Sequence, residues 1–170
     1  MTPTGKRLKD VFSRLGVPLV LARPDDRTSL FHRVNRGAPT GLGGIEWKGK
    51  GRSAVIWATT EMRRHLDLCA LTHELAHVVV GTDPHATNEI KSPMLAFEAA
   101  VHDHCEISRT AVDEWMSNFG VDGRGGEWPD TSWSQRLDIM YESRTRAVAV
   151  GLLTREGELV WRRQRQGGDA

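Results

Sequence analysis

Residues 72–81 read Thr72-His73-Glu74-Leu75-Ala76-His77-Val78-Val79-Val80-Gly81. Together with Leu68 and Leu71 upstream, Leu75, Val78 and Val79 form an apolar stripe at helical spacing. A helix with such a stripe buries one side in a core, so the fold is expected to be built around it. His73 and His77 are four residues apart, which on a helix puts both imidazoles on one face, a single turn apart, where they can converge on one ion. Glu74 is rotated by about 100° from His73, so its carboxylate lies beside such an ion and not on it. Zinc suits this donor set: it lowers the pKa of a bound water towards about 7, and an adjacent carboxylate takes the released proton and passes it to a leaving amine. The plainer alternative is a pair of core histidines satisfied by ordinary hydrogen bonds.

Working outward, Gly81 and then Pro84 end the helix, and Thr59 or Thr60 is expected to cap its start near Glu61. Before it, Ser53-Ala54-Val55-Ile56-Trp57-Ala58 reads as a strand, expected at or near a sheet edge beside the site. An extended substrate peptide would then add to that edge. Residues 35–52 hold six of the seventeen glycines and read as a long loop or hairpin. At the N-terminus, Leu8, Val11, Phe12 and Leu15 predict a helix over 5–16 closed by Gly16, followed by a short strand over Val17–Leu21. Arg23-Pro24-Asp25-Asp26 is a turn.

Downstream, Ser92-Pro93 reads as a helix start, with Ser as cap and Pro at the first position. That helix covers Met94 to about Cys105 and continues or kinks through Trp115 to Phe119, before Gly120. Ser132 with Gln135 makes a capping box for a last helix reaching about Leu153, and Glu158–Trp161 reads as a terminal strand. The fold class expected is α+β, mostly helical with a small sheet beside the site helix. One domain is expected over 1–155, with 156–170 a partly disordered tail.

A hydrolytic zinc site needs a third protein ligand and keeps its fourth position for water. Glu98 is the leading candidate, because a lone carboxylate in Leu95-Ala96-Phe97-Glu98-Ala99-Ala100-Val101 is costly unless it meets a cation. The alternative is an exposed helix glutamate. His102 lies one turn on, with Asp103 and His104 close by. Either histidine is a candidate ligand in place of Glu98, a group that orients a ligand, or an oxyanion donor, and the plainest reading of both is surface histidine. Tyr141, the one tyrosine, is either an oxyanion donor or a packing residue. The six tryptophans either line a groove or, for the most part, anchor the core. Cys69 and Cys105 are too few for a disulfide scaffold and read as small buried thiols in a reducing compartment.

The chain has 170 residues, with 23 basic against 22 acidic side chains. That balance carries no strong nucleic-acid signal, which would need a surplus of Lys and Arg on one face. Arg162, Arg163 and Arg165, and Lys48, Lys50 and Arg52, read as solvated clusters. Nothing in the N-terminal segment reads as a signal peptide and no run approaches a membrane span, so a cytoplasmic protein with no membrane partner is expected.

With His73-Glu74-Leu75-Ala76-His77 followed by a glutamate in the alanine-rich Ala96-Phe97-Glu98-Ala99-Ala100, the chain resembles a gluzincin-type minimal zinc protease. It is most similar to the ImmA/IrrE family of phage-associated and bacterial metallopeptidases, over roughly residues 50–110. The resemblance implies a zincin-like domain with His73, His77 and Glu98 as zinc ligands and Glu74 as general base. It also implies a protein substrate, often a regulatory repressor, and a phage or mobile-element setting. His85 stands two residues too far along for the metzincin pattern HExxHxxGxxH, and reads as a loop residue. Two other readings stay open. One is a SprT-like protease acting on DNA-bound proteins, with His102 or His104 as third ligand. The other is a non-catalytic zinc-binding interaction module, closed by Cys105.

Overall fold

The computed structural model describes residues 1–21, 43–48, 53–58, 61–80, 88–118 and 142–153. Their order is α1 (Pro3–Leu15), β1 (Leu19–Leu21), β2 (Gly43–Lys48), β3 (Ser53–Ala58), α2 (His65–Val79), α3 (Asn88–Cys105) and α4 (Arg109–Asn118). A last helix, α5, spans 142–149. The class is therefore mixed α and β, mostly helical with a small sheet, as expected.

Thr2 caps α1 by accepting from the Gly5 amide, and Pro3 takes the first helical position. Leu8, Val11, Phe12 and Leu15 all face the core at 1% exposure or less. Gly16, at φ 67°, closes the helix in the left-handed conformation that glycine adopts without a Cβ clash. Thr2 also ties α1 to the chain ahead of α2, donating through its hydroxyl to the Met62 carbonyl. Gly5 lies so close to that carbonyl that a Cβ there would collide with it.

The sheet order is β1-β3-β2, with β1 parallel and β2 antiparallel to β3. Residues 43–58 thus contain the hairpin that the glycine-rich segment allowed. The strand at 53–58 is central, paired on both sides, which corrects the expectation of an edge and removes the idea of a peptide added along it. The reason is visible in its composition: Val55, Ile56 and Ala58 are all buried, so both faces are covered. A continuous apolar run is the mark of such a strand.

α2 is the hub of the fold, touching α1, α3, α4 and both strands of the hairpin. Leu68, Leu71, Leu75, Val78 and Val79 are fully buried, each contributing roughly 1.5–3 kcal/mol of apolar transfer energy. The helix starts four residues later than Glu61. Met62 sits at φ 56°, a left-handed conformation that cannot continue a helix. Arg64 takes the cap position without a side-chain cap bond and instead holds Asp67, in the first turn, through two 2.8 Å hydrogen bonds.

α3 begins at Asn88, so Ser92-Pro93 lies inside it and does not start it. Pro93 is the sixth residue of α3, past the four amides that lack an intrahelical acceptor, so the helix forgoes one backbone bond there. α3 and α4 are separate helices, not one kinked helix. Glu106 at φ 57° ends α3, with Ile107 N–H on the His102 carbonyl at 2.9 Å and Glu106 N–H on Asp103 at 3.1 Å. This is the paired-bond C-cap in which glycine is usual. Gly151, at φ 79°, closes α5 in the same way. The Ser132–Gln135 capping box, the 156–170 tail and the 158–161 strand lie outside the described residues. None of the helices among the described residues is long and apolar enough to cross a membrane.

Candidate functional site

The site forms where the polar side of α2 meets α3 and α4. Regular helix geometry from 65 to 79 carries His73 and His77 onto one face, as their spacing requires. Their rings meet edge to face, with centroids 4.5 Å apart, and their Nε2 atoms are 3.0 Å apart. Two nitrogens bound to one tetrahedral ion at roughly 2.0–2.1 Å stand about 3.3 Å from each other, so the pair is close to chelating separation.

Glu98 reaches this pair from α3. Its Oε1 accepts a 2.6 Å hydrogen bond from His73 Nδ1. At 1% exposure it is not the exposed helix glutamate of the alternative reading. Its second oxygen, Oε2, is buried without a hydrogen-bond partner. An unpaired carboxylate oxygen in an apolar setting is costly, which fits a cation-binding role. The bond to Nδ1 assigns that ring proton and leaves His73 Nε2 as the lone-pair atom facing His77. Glu98 thus sits across the imidazole from the nitrogen that meets His77. Among the described residues, no three His, Cys, Asp or Glu side chains form a ready-made ligand cluster. The donor types still fit zinc: two imidazoles, and a buried carboxylate with an oxygen to spare.

Burial raises the pKa of Glu74, the His73 charge opposes that shift and the Glu98 charge adds to it. A carboxylate with raised basicity is better suited to accept a proton near neutral pH. Burial, and then the neighbouring His73, push His77 down to about 3, so its imidazole is neutral and able to ligate.

The remaining candidates part ways. His102 is 6% exposed, which corrects the surface reading, and burial lowers its pKa to about 4. Its Nε2 is buried and unpartnered. His104 and Asp103 are exposed. Tyr141 and His85 lie outside the described residues. Cys69 and Cys105 are buried as expected, and burial pushes both thiols up to about 12. A second cause at Cys69 is the charge of Glu98.

Nothing in the sequence sets Trp115 apart from the other five tryptophans, yet it borders the site. At 8% exposure, its ring lies 5.7 Å from the His73 ring, at 54°, so α4 supplies a wall of the site. The available signal was local: Ala111 and Trp115 share one helical face and both are buried. Which helix that face would meet depends on tertiary packing.

No family model, curated protein or solved structure matches this chain.

Proposed function

We propose that the chain is a zinc-dependent peptidase, with His73, His77 and Glu98 holding the metal and Glu74 serving as general base. The observation that carries this is the meeting of two Nε2 atoms 3.0 Å apart on one helix, beside a buried carboxylate whose Oε2 has no partner. A bound zinc supplies a Lewis acid that polarises the scissile carbonyl and acidifies water. The protein's own groups do the rest. Glu98 Oε1 fixes the tautomer and orientation of His73 through Nδ1; to ligate a metal on Nε2 the carboxylate would have to leave that bond and swing to the other side of the ring. Trp115 bounds the His73 ring and keeps it from swinging away from His77. Glu74 takes one proton from the attacking water and gives it to the amine nitrogen as the carbon–nitrogen bond breaks, which returns the carboxylate to its starting state.

The similarity of His73–His77 and Glu98 to the ImmA/IrrE pattern supports a protein substrate inside the cell and a phage or mobile-element setting. A balanced net charge of +1 favours this over a protease that grips DNA. The test pairs metal content with cleavage. Glu74→Gln should retain one zinc per chain and lose peptidase activity on a proteome-derived peptide library by a factor of roughly 10²–10⁴. A wild-type protein that binds zinc and cuts no peptide would leave a metal-binding module in place of an enzyme.

A further inference from the structure

Glu98 and His73 face each other from the middles of two packed helices, α3 and α2. The His73 ring is engaged at both nitrogens. Nδ1 donates to Glu98 Oε1 at 2.6 Å, and Nε2 lies 3.0 Å from His77 Nε2. The two nitrogens open on different sides of one flat ring, so the carboxylate and the pair of Nε2 atoms lie on opposite sides of it. The bond to Glu98 is a strong one, being short, buried and charge-assisted. It leaves Oε2 buried without a partner, however, so this position satisfies only half of the carboxylate. The Glu98 charge is felt along α2 on both sides of His73. Burial raises the pKa of Cys69, one turn before, and of Glu74, one residue after, and the Glu98 charge adds to the rise at both.

We propose that Glu98 is a two-position carboxylate, which holds His73 at Nδ1 before the metal arrives and leaves that bond to ligate it, so that zinc uptake opens the Glu98–His73 contact. The inference rests on the metal centre of the peptidase reading and names how that centre is loaded. Three features support the exchange. The terminal torsion of a glutamate side chain is soft and roughly two-fold, so the carboxylate can turn while α3 stays in place. The Nδ1 position leaves an oxygen unpaired, whereas a cation takes the carboxylate charge directly. The side chain released by the exchange, His73, is 12% exposed against 2% for Glu98, so its N–H is the easier of the two groups to hydrate. Ordering and ligation are thereby separated in time. The bond to Glu98 first aims His73 Nε2 towards His77, and ligation through Nε2 then fixes the ring once Glu98 has left Nδ1. Because a strong bond must open first, Glu98 adds less to zinc affinity than a carboxylate with no prior partner would.

The exchange can be read without catalysis. Full-length protein labelled with ¹⁵N at histidine would be treated with chelator and titrated with zinc alone. Before zinc, the His73 Nδ1 proton is expected far downfield of ordinary imidazole N–H protons, as a short bond to a buried carboxylate requires. Glu98→Gln keeps an acceptor and removes the charge, so it should move this proton upfield and thereby assign it. With equimolar zinc on wild type, the Nε2 signals of His73 and His77 should shift together. The low-field proton should at the same time return to the ordinary range. A low-field proton that persists while both Nε2 signals shift would overturn the exchange and leave the metal centre standing, with Glu98 as a residue that positions His73. Zinc that shifts neither Nε2 signal would remove the metal centre itself, and the exchange with it. A proton that is missing before zinc, or unmoved by Glu98→Gln, would also overturn the exchange, since the bond to be opened would not be there.

Discussion

α2 has a dry side and a wet side, and they obey different rules. On the dry side Leu68, Leu71 and Leu75 lie in the core at zero exposure, where apolar packing is all they require. On the wet side His73 meets His77, Glu98 and Trp115, and burial moves the pKa values of Glu74 and His77 and leaves Glu98 Oε2 unpaired. Burying carboxylates and imidazoles in that way does not maximise stability, because apolar side chains of similar volume would pack at lower cost. Polar groups kept at such a cost are what the proposed metal site would require. The dry face is where stability resides, and the wet face is where the fold gives some of it up.

Substitutions should show this asymmetry. The largest stability effect is expected on the dry side: Leu71→Ala, at a fully buried position, should cost about 2–5 kcal/mol in urea unfolding. On the wet side Glu98→Gln keeps an acceptor for His73 Nδ1 and removes a buried charge. It should leave unfolding free energy unchanged or raised by about 1 kcal/mol, while zinc retention through dialysis is lost. A loss of several kcal/mol in the metal-free protein would instead make Glu98 a structural residue.

The two kinds of helix ending offer a smaller effect. Gly16 and Gly151 hold their left-handed positions without strain, whereas Glu106 holds one at φ 57° with a side chain. Glu106→Asn should stabilise by about 0.5–1 kcal/mol in thermal unfolding. The Arg7 contact it removes joins side chains 41% and 72% exposed, and such pairs contribute little.

A last effect concerns pH. His102 has its pKa lowered by burial from 6.5 to about 4, so the unfolded chain takes up a proton that the folded chain refuses. Its contribution to stability is therefore full above about pH 6.5 and lost progressively as pH falls towards 4. In chelator-treated protein the stability difference between wild type and His102→Gln should shift against wild type between about pH 7 and 4.5. A pH-independent difference would place the ring in contact with solvent.

The same contrast governs what could be read from the sequence. Local features carried through: the stripe and histidine pair of α2, the Gly16 cap, the 53–58 strand and the burial of Cys69 and Cys105. Readings that needed a distant partner did not. The 53–58 strand was placed at an edge because its parallel neighbour, Leu19–Leu21, lies more than thirty residues earlier. The start of α2 was set too early because Met62 is held in its left-handed turn by Thr2 and Gly5, on another helix. Ser92-Pro93 resembles a helix start from its local chemistry alone, yet α3 absorbs the proline in its second turn. Glu98 was found because a carboxylate in an apolar run is a local anomaly. The Trp115 contact with His73 was not, because it depends on how α4 crosses α2.

The central claim is that His73 and His77 together hold a zinc ion through nitrogen. Zinc K-edge X-ray absorption on the stoichiometric zinc complex measures this directly. The account predicts two imidazole scatterers in wild type and Glu74→Gln, one in His77→Ala, and otherwise only oxygen at about 2.0–2.2 Å. A sulfur shell at about 2.3 Å, or a spectrum that His77→Ala leaves unchanged, would contradict it.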